Sequence, residues 1–162
     1  MRYLSYLVLF ASLLVLCNCT TEPSGTVSSE KEVKIRYDSL LAERLGADDY
    51  GMKTYVMAFL YRGDSQGLDS LRRSELQREH LDNITRMAEE GQLVLAGPFL
   101  GKGDLRGIYL FDVRTVAEAE ALTRTDPAIQ AGTLRMELRE WYGSAALMKL
   151  NELHKQIAKE NI

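Results

Sequence analysis

The sequence predicts an α+β domain in which two helices cover one face of a four-stranded antiparallel sheet. Two observations predict it. Strand-like and helix-like patterns follow one another in the order β, α, β, β, α, β, and a glycine-rich connection joins the two consecutive strands. The composition, with 46% apolar and 27% charged residues among 162, is that of an ordinary globular protein. We therefore expect one compact domain with extensions.

The first half of this pattern is a strand, a helix and a hairpin. Residues 54–61 read TYVMAFLY and are apolar on both faces, so both faces need a cover. A helix is predicted from Ser70 to Glu90, because Gly91 is typical of the residue just past a helix. The next two strands cover residues 93–96 and 108–113.

The second half is a helix and a strand. Thr115 is expected to begin the helix, since Glu118, three residues later, completes a capping box. Residues 134–141 then alternate between apolar and charged side chains. The whole order is the split βαβ arrangement of a ferredoxin-like fold. Because one face of its sheet lacks helices, we predict a homodimer that covers it.

The chain divides into a signal (1–19), a linker with a short helix (20–52), the domain (53–142) and a carboxy-terminal amphipathic helix (143–162). Arg2 precedes an apolar run from Leu7 to Leu16, which is shorter than the roughly 20 residues that span a bilayer. This pattern indicates an export signal. Cys19 or Cys17 is the candidate site for a lipid, with simple secretion or a retained anchor as alternatives. We predict an exported protein of the bacterial envelope, lipid-anchored or periplasmic.

The linker helix is expected over residues 33–45, with Gly46 as its end. The predicted carboxy-terminal helix has apolar residues at helical spacing among Lys and Glu. Both acids and lysines lie on its polar side, so packing on the domain or on a partner subunit is favoured over a membrane surface.

Charge and composition exclude several classes of function. The 20 Lys and Arg are scattered among 23 Asp and Glu, with a net charge of −3, which argues against a nucleic-acid groove. Two His and two Cys cannot supply a clustered zinc site. Glycines 97, 101, 103 and 107 do not match a phosphate-binding loop and are typical of a hairpin connection. We therefore predict no metal, no cofactor, no nucleic acid, and membrane contact only through a lipid anchor.

Two residues could carry acid–base chemistry. On a helical wheel His80 lies on the same side as Leu76, Ile84 and Met87, so it is expected to face the sheet. An imidazole beside a carboxylate is suited to proton transfer near neutral pH, but a core histidine bonded to a backbone carbonyl fits the same position. Asp126 precedes Pro127, as a helix-capping residue does. The residues alone leave both interpretations open.

The stretches EHLDNITRMAEEGQLVLAGPF, GIYLFDV, AEAEAL and TDPAIQAG resemble the YciI-related (YCII) family across residues 53–142. The most informative matches are His80, Ala96-Gly97-Pro98, Asp126-Pro127 and Ala131-Gly132. The resemblance implies a ferredoxin-like dimeric α+β barrel with a His and Asp pair as active site, matching His80 and Asp126. One branch of that family resembles a dehydrochlorinase of a chlorinated hydroxyquinol. The signal, the linker helix and the carboxy-terminal helix depart from the family pattern.

Two functional hypotheses follow. In the first, the protein is a cofactor-independent lyase, isomerase or hydrolase of a small molecule, with His80 and Asp126 as catalytic residues. Gly97, Pro98, Phe59 and Tyr61 are then the candidate substrate-binding residues, although the two aromatic residues are also typical of core or dimer contacts. In the second, it is a non-catalytic dimeric ligand-binding or interaction module at the envelope. A bond between His80 and Asp126 beside an open pocket would favour the first.

Overall fold

The computed structural model describes residues 36–160. The predicted signal, Cys17, Cys19 and the linker up to residue 35 lie outside the described residues. Within the described range no helix has both the length and the apolar character needed to cross a membrane. The elements are, in order, α1 (Ser39–Leu45), β1 (Met52–Arg62), α2 (Ser70–Glu89), β2 (Leu93–Pro98), β3 (Leu105–Phe111), α3 (Val116–Thr123), α4 (Pro127–Gln130), β4 (Leu134–Ser144), a 3₁₀ helix (Ala145–Lys149) and α5 (Leu150–Ile157).

The four strands form one sheet in the order β2-β3-β1-β4. All three neighbouring pairs are antiparallel, with β1 paired to β3 on one side and to β4 on the other. This confirms the predicted α+β class and the ferredoxin-like topology. Strands β1 and β4 extend a few residues beyond the predicted bounds because the ladder between them continues to the pair of Met52 and Ser144. Strand β3 begins at Leu105 and ends at Phe111, earlier at both ends than the predicted 108–113.

One face of the sheet carries the main core. Val56, Ala58 and Leu60 point from β1 into a buried cluster that also contains Met87 of α2 and Ala119 of α3. Leucines and the methionine of β4 pack on the same side, which confirms the alternation expected for residues 134–141. Burying a large aliphatic side chain contributes about 1.5–3 kcal/mol. Apolar contacts with β1 therefore hold α2 and α3 on this face.

The other face is covered in part by the end of the chain. Tyr55, Val94 and Leu110 form a second buried cluster against which Leu147 and Leu150 pack. The predicted amphipathic helix over 143–162 is therefore shorter than expected: β4 continues to Ser144, and the α-helical part begins only at Leu150. The residues of the tail that pack on this face contact the Tyr55 cluster, which does not include Phe59.

Local signals set several helix ends as expected. Glu118 and Thr115 form both bonds of the capping box at the start of α3. Gly46 ends α1 with a φ of 68°, a left-handed conformation that favours glycine. The N-cap of α1 is Asp38, whose side chain accepts a hydrogen bond from the backbone N–H of Leu41. The described part of the linker helix thus begins later than the predicted residue 33.

Gly63 lies where the loop after β1 touches the loop after α4. Its N–H donates to the carbonyl of Thr133, and a Cβ at Gly63 would lie 2.2 Å from the carbonyl oxygen of Gly132. Because both sides of this contact are backbone, we expect Gly63→Ala to lower the free energy of unfolding by about 2–3 kcal/mol, measured by urea denaturation. Gly67→Ala is the control, since a Cβ there meets nothing within 4 Å. Equal stability of the two variants would contradict the prediction.

Candidate active site

His80 occupies the buried side of α2. Leu76 and Met87 on the same side of the helix are buried and Ile84 is partly buried, so the helical wheel gave the right direction for the imidazole. Asp69 caps the start of the helix, and its carboxylate accepts from the N–H of Arg72. The side chain of His80 is 12% exposed. The ring therefore faces the sheet but keeps a narrow opening to solvent.

Asp126 lies between α3 and α4 and is fully buried. It is the N-cap of α4: its Oδ1 atom accepts a hydrogen bond of 2.9 Å from the N–H of Ala128, and Pro127 takes the first helical position. The capping role expected from the sequence is present. The cap uses only Oδ1, so Oδ2 remains available to other donors.

The structure brings His80 and Asp126 together. The Nδ1 atom of His80 lies 2.8 Å from Oδ2 and 3.0 Å from Oδ1 of Asp126. An ionised carboxylate can only accept hydrogen bonds, so Nδ1 must carry the hydrogen. In the neutral ring the lone pair then lies on Nε2. This arrangement can take up a proton at Nε2 and stabilise the resulting imidazolium with the charge of Asp126.

Tyr109 is a third member of the cluster that the sequence analysis missed. Its hydroxyl oxygen lies 3.3 Å from Nε2 of His80 and 3.5 Å from Oδ2 of Asp126, and the two rings stack with their centroids 6.2 Å apart. The residue comes from β3 and is opposite Ala58 of β1. A signal was available: a buried tyrosine usually finds a partner for its hydroxyl, and Tyr109 falls on the same side of its strand as Phe111.

The hydroxyl of Tyr109 holds its proton firmly. Burial raises the pKa of Tyr109 far above its usual value, and the negative charge and hydrogen bond of Asp126 raise that pKa further. At neutral pH the residue is therefore a neutral phenol that donates a hydrogen bond to one of its two acceptors.

This raised pKa predicts a loss of stability in alkali. The folded state keeps the Tyr109 proton at a pH where the unfolded chain releases it, so the stabilisation is complete below the unfolded pKa and is lost as pH rises above it. We expect the free energy of unfolding to fall by up to about 1.4 kcal/mol per pH unit from this group above a pH of about 10. Urea denaturation of the wild type and of Tyr109→Phe between pH about 9 and about 11 measures the difference in slope. Parallel pH profiles would show that Tyr109 does not contribute.

A polar clamp holds the segment before Asp126 against α2. The Oδ1 atom of Asn83 accepts from the hydroxyl of Thr125 at 3.0 Å and from the guanidinium of Arg86 at 2.9 Å. Asn83 is buried one turn after His80 on the same helix. Because Thr125 immediately precedes Asp126, the clamp fixes the carboxylate relative to the ring. Asn83 was not among the residues predicted from the sequence.

The four candidate substrate-binding residues are not gathered around this cluster. Phe59 and Tyr61 alternate with Ala58 and Leu60 along β1 and therefore lie on the opposite face of the sheet, where the guanidinium of Arg135 lies 4.4 Å from the Tyr61 ring centroid. Strand alternation thus places these two aromatic side chains away from His80 in the single chain. Gly97 and Pro98 end the edge strand β2, and in the described part of the chain no hydrogen bond joins either to His80 or Asp126.

Two surface concavities of the single chain lie away from the His80–Asp126 pair. Two open concavities, of about 600 and 460 Å³, lie along the outer side of α2 and beside α3, and neither is lined by His80 or Asp126. Among residues 36–160, no group of three or more His, Cys, Asp and Glu could hold a metal ion.

Comparison with known proteins identifies the domain. A family description of the YCII-related domain matches residues 54–142, which is more than half of the chain. The chain belongs to the YCII-related domain family. The match covers the four-stranded sheet together with α2, α3 and α4, so His80, Tyr109 and Asp126 all lie within the YCII-related domain.

One solved structure similar to this YCII-related protein is 5-chloro-2-hydroxyhydroquinone dehydrochlorinase from Burkholderia phenoliruptrix, in complex with 2,5-dihydroxybenzoquinone. It is 23% identical, with a TM-score of 0.39, and the alignment covers 52% of this chain and 92% of that chain. A comparison with curated protein sequences gives no match. The elements α1 and α5 lie outside the YCII-related match, as the sequence analysis expected.

Proposed function

We propose that this YCII-related protein is a small-molecule enzyme that works by proton transfer, of the lyase, isomerase or hydrolase type. The observation that supports it most directly is the 2.8 Å contact between Nδ1 of His80 and the buried carboxylate of Asp126. A buried carboxylate on one ring nitrogen sets the protonation state of the other, which is the arrangement that acid–base catalysis uses. The proposed chemistry uses the chain's own side chains and no cofactor.

In the proposed reaction His80 is the base and then the acid. Nε2 takes a proton from a carbon or oxygen atom of the substrate, and the negative charge of Asp126 stabilises the imidazolium. The same nitrogen then returns the proton to a second substrate atom or to a leaving group. Asp126 orients the ring, because it also accepts the N–H of Ala128 and is fixed as the cap of α4.

Proton exchange with solvent tests this proposal even when the product of the reaction is not identified. The full-length protein is incubated in D₂O with small phenols, lactones and halogenated compounds, and deuterium incorporation and product formation are followed by NMR. We expect exchange or conversion with the wild type and none with His80→Asn, which keeps a hydrogen-bond donor near the position of Nδ1 but has no Nε2. Equal rates with the two proteins would exclude His80 as the base.

A non-catalytic binding or interaction module is the second candidate, and the enclosure of the pair favours it. Asp126 is 1% exposed, Nε2 of His80 already has Tyr109 as a neighbour, and neither open concavity includes the ring. In that case the pair would fasten α4 to α2 as part of the core. The D₂O experiment separates the candidates, since a structural pair gives no exchange with any compound.

We also propose that the protein forms a homodimer through the face of the sheet that carries Phe59, Tyr61 and Trp141. The tail packs on the part of this face around Tyr55, while Trp141 remains 37% exposed. A second sheet can cover such a face as two layers of one core. Sedimentation equilibrium that gives the mass of a single chain at micromolar concentration would contradict this.

The proposed location is the bacterial envelope, after export, with a lipid on Cys19 or Cys17 or as a free periplasmic protein. The apolar run behind Arg2 and the two cysteines support it. Mass spectrometry of the membrane fraction from the wild type, Cys17→Ser and Cys19→Ser distinguishes the two cysteines. An unmodified full-length chain in the cytoplasmic fraction would contradict the proposal.

A further inference from the structure

The Tyr109 hydroxyl has two acceptors within reach and only one proton to donate. It lies 3.3 Å from Nε2 of His80 and 3.5 Å from Oδ2 of Asp126. Both distances are at the long end for hydrogen bonds, so neither contact fixes the hydroxyl group strongly. Rotation about the C–O bond can direct the hydroxyl hydrogen to either acceptor.

We propose that Tyr109 is a positioning residue for the base, and that its hydroxyl changes acceptor when the imidazole gains or loses a proton. The inference rests on the proposed function. With a neutral ring the hydroxyl donates to the lone pair of Nε2. With a charged ring Nε2–H donates to the phenolic oxygen, and the hydroxyl hydrogen turns to Oδ2 of Asp126. The phenol keeps its own proton in both states, in keeping with a pKa that burial and Asp126 raise.

Two titratable groups surround the His80 ring and take part in this exchange of the hydroxyl hydrogen. Among the described residues, the titratable side chains in polar contact with His80 are Asp126 and Tyr109. The other elements that meet in this core contribute apolar side chains: Val56, Ala58 and Leu60 from β1, Leu93 from β2, Ala119 and Leu122 from α3, and Leu134, Met136 and Leu138 from β4. No further charge from the described residues of this core competes for the hydroxyl hydrogen.

The exchange has a consequence for the proposed reaction. A substrate atom that approaches Nε2 takes the place of the tyrosine hydroxyl. Because Oδ2 of Asp126 is already 3.5 Å away, the displaced hydroxyl finds a second acceptor instead of becoming an unpaired buried donor. Tyr109 thus occupies Nε2 in the free protein and releases it at little cost when the substrate arrives.

Histidine ¹⁵N resonances of the full-length chain report this contact directly. The chain has two histidines, and His154→Gln assigns the signals. At a pH where the ring is neutral, we expect Tyr109→Phe to move the Nε2 resonance of His80 downfield, because the acceptor nitrogen loses its hydrogen bond, while Nδ1 stays protonated. Tyr55→Phe is the matched control: it removes a buried tyrosine hydroxyl, bonded to the carbonyl of Ser144, from the other sheet face. It should leave His80 unchanged.

Three further readouts complete the test. When the ring is charged, the Asp126 carboxyl ¹³C resonance should differ between the wild type and Tyr109→Phe, since the variant lacks the second donor. In the wild type alone, a slowly exchanging tyrosine hydroxyl proton should show a nuclear Overhauser contact to the His80 ring. On a compound found by the D₂O screen, turnover of Tyr109→Phe should fall about tenfold, the effect of one lost hydrogen bond.

Unchanged His80 and Asp126 resonances in Tyr109→Phe, or the absence of the Overhauser contact in the wild type, would overturn the inference. So would changed resonances with wild-type turnover, because Tyr109 would then have no role in the reaction. The spectra need no substrate. If His80→Asn proves as active as the wild type, the proposed function fails, and the spectra still decide whether the hydroxyl contacts the ring.

Discussion

Replacing His80 by asparagine should lower turnover about 100- to 10,000-fold on any compound that the wild type converts, the usual effect of losing a general base. The amide nitrogen of asparagine lies close to the position of Nδ1 and can still donate to Asp126, so the buried carboxylate keeps a partner. We expect the free energy of unfolding to fall by only about 1–2 kcal/mol, from the ring volume that the smaller side chain leaves empty. Steady-state kinetics and urea denaturation measure the two effects on the same preparation.

His154→Asn is the matched control for this variant. It makes the same substitution on α5, where His154 is exposed and outside the His80 cluster. Its turnover and stability should equal those of the wild type. A loss of turnover in His80→Asn that merely follows a loss of folded protein would support the structural interpretation of the pair instead.

The fold could be predicted because apolar residues recur at clear strand and helix spacings along the chain. The alternation along residues 134–141 and the capping box at Thr115 each agree with the global topology, and the structure has both. Local secondary-structure preference and tertiary packing favour the same elements here. Such agreement is what allows a fold to be predicted from its sequence. The direction of His80 could be predicted for the same reason, since Leu76 and Met87 define the buried side of α2.

The location of the aromatic residues could not be predicted in this way. Both faces of β1 are apolar, so the sequence does not say which of them receives α2 and α3. Once Ala58 is known to face Tyr109, strand alternation puts Phe59 on the opposite side. A periodicity of two defines the two sets of residues but does not assign either set to the site.

Contacts between loops that are far apart in the sequence are a second feature that could not be predicted. Gly63 approaches Gly132 although almost 70 residues separate them, and Gly63 has no positive φ that would mark it as a turn glycine. Asn83 meets Thr125 in the same way. Such pairs depend on how α4 is placed over the sheet, and a single sequence carries no local signal for that.

Replacing Asp126 by alanine should lower the free energy of unfolding by about 3–5 kcal/mol, because removing one partner leaves other buried groups unpaired. The variant takes an acceptor from Nδ1 of His80 and from the N–H of Ala128, and it removes the cap of α4. Loss of a cap alone costs about 0.5–2 kcal/mol. Urea denaturation against Asp104→Ala provides the comparison, since Asp104 forms an exposed ion pair with Arg135.

Asp126→Asn separates the charge of this residue from its shape. The amide oxygen can still accept from Ala128, which keeps the cap and most of the stability. The amide nitrogen then faces Nδ1 of His80 and donates to it, so the ring hydrogen moves to Nε2 and the base is lost. We therefore expect Asp126→Asn to be nearly as stable as the wild type but as inactive as His80→Asn. An active Asp126→Asn would show that the carboxylate does not select which nitrogen of His80 is protonated. If Asp126→Ala lowers the free energy of unfolding no more than Asp104→Ala does, the pair is not held in a buried environment.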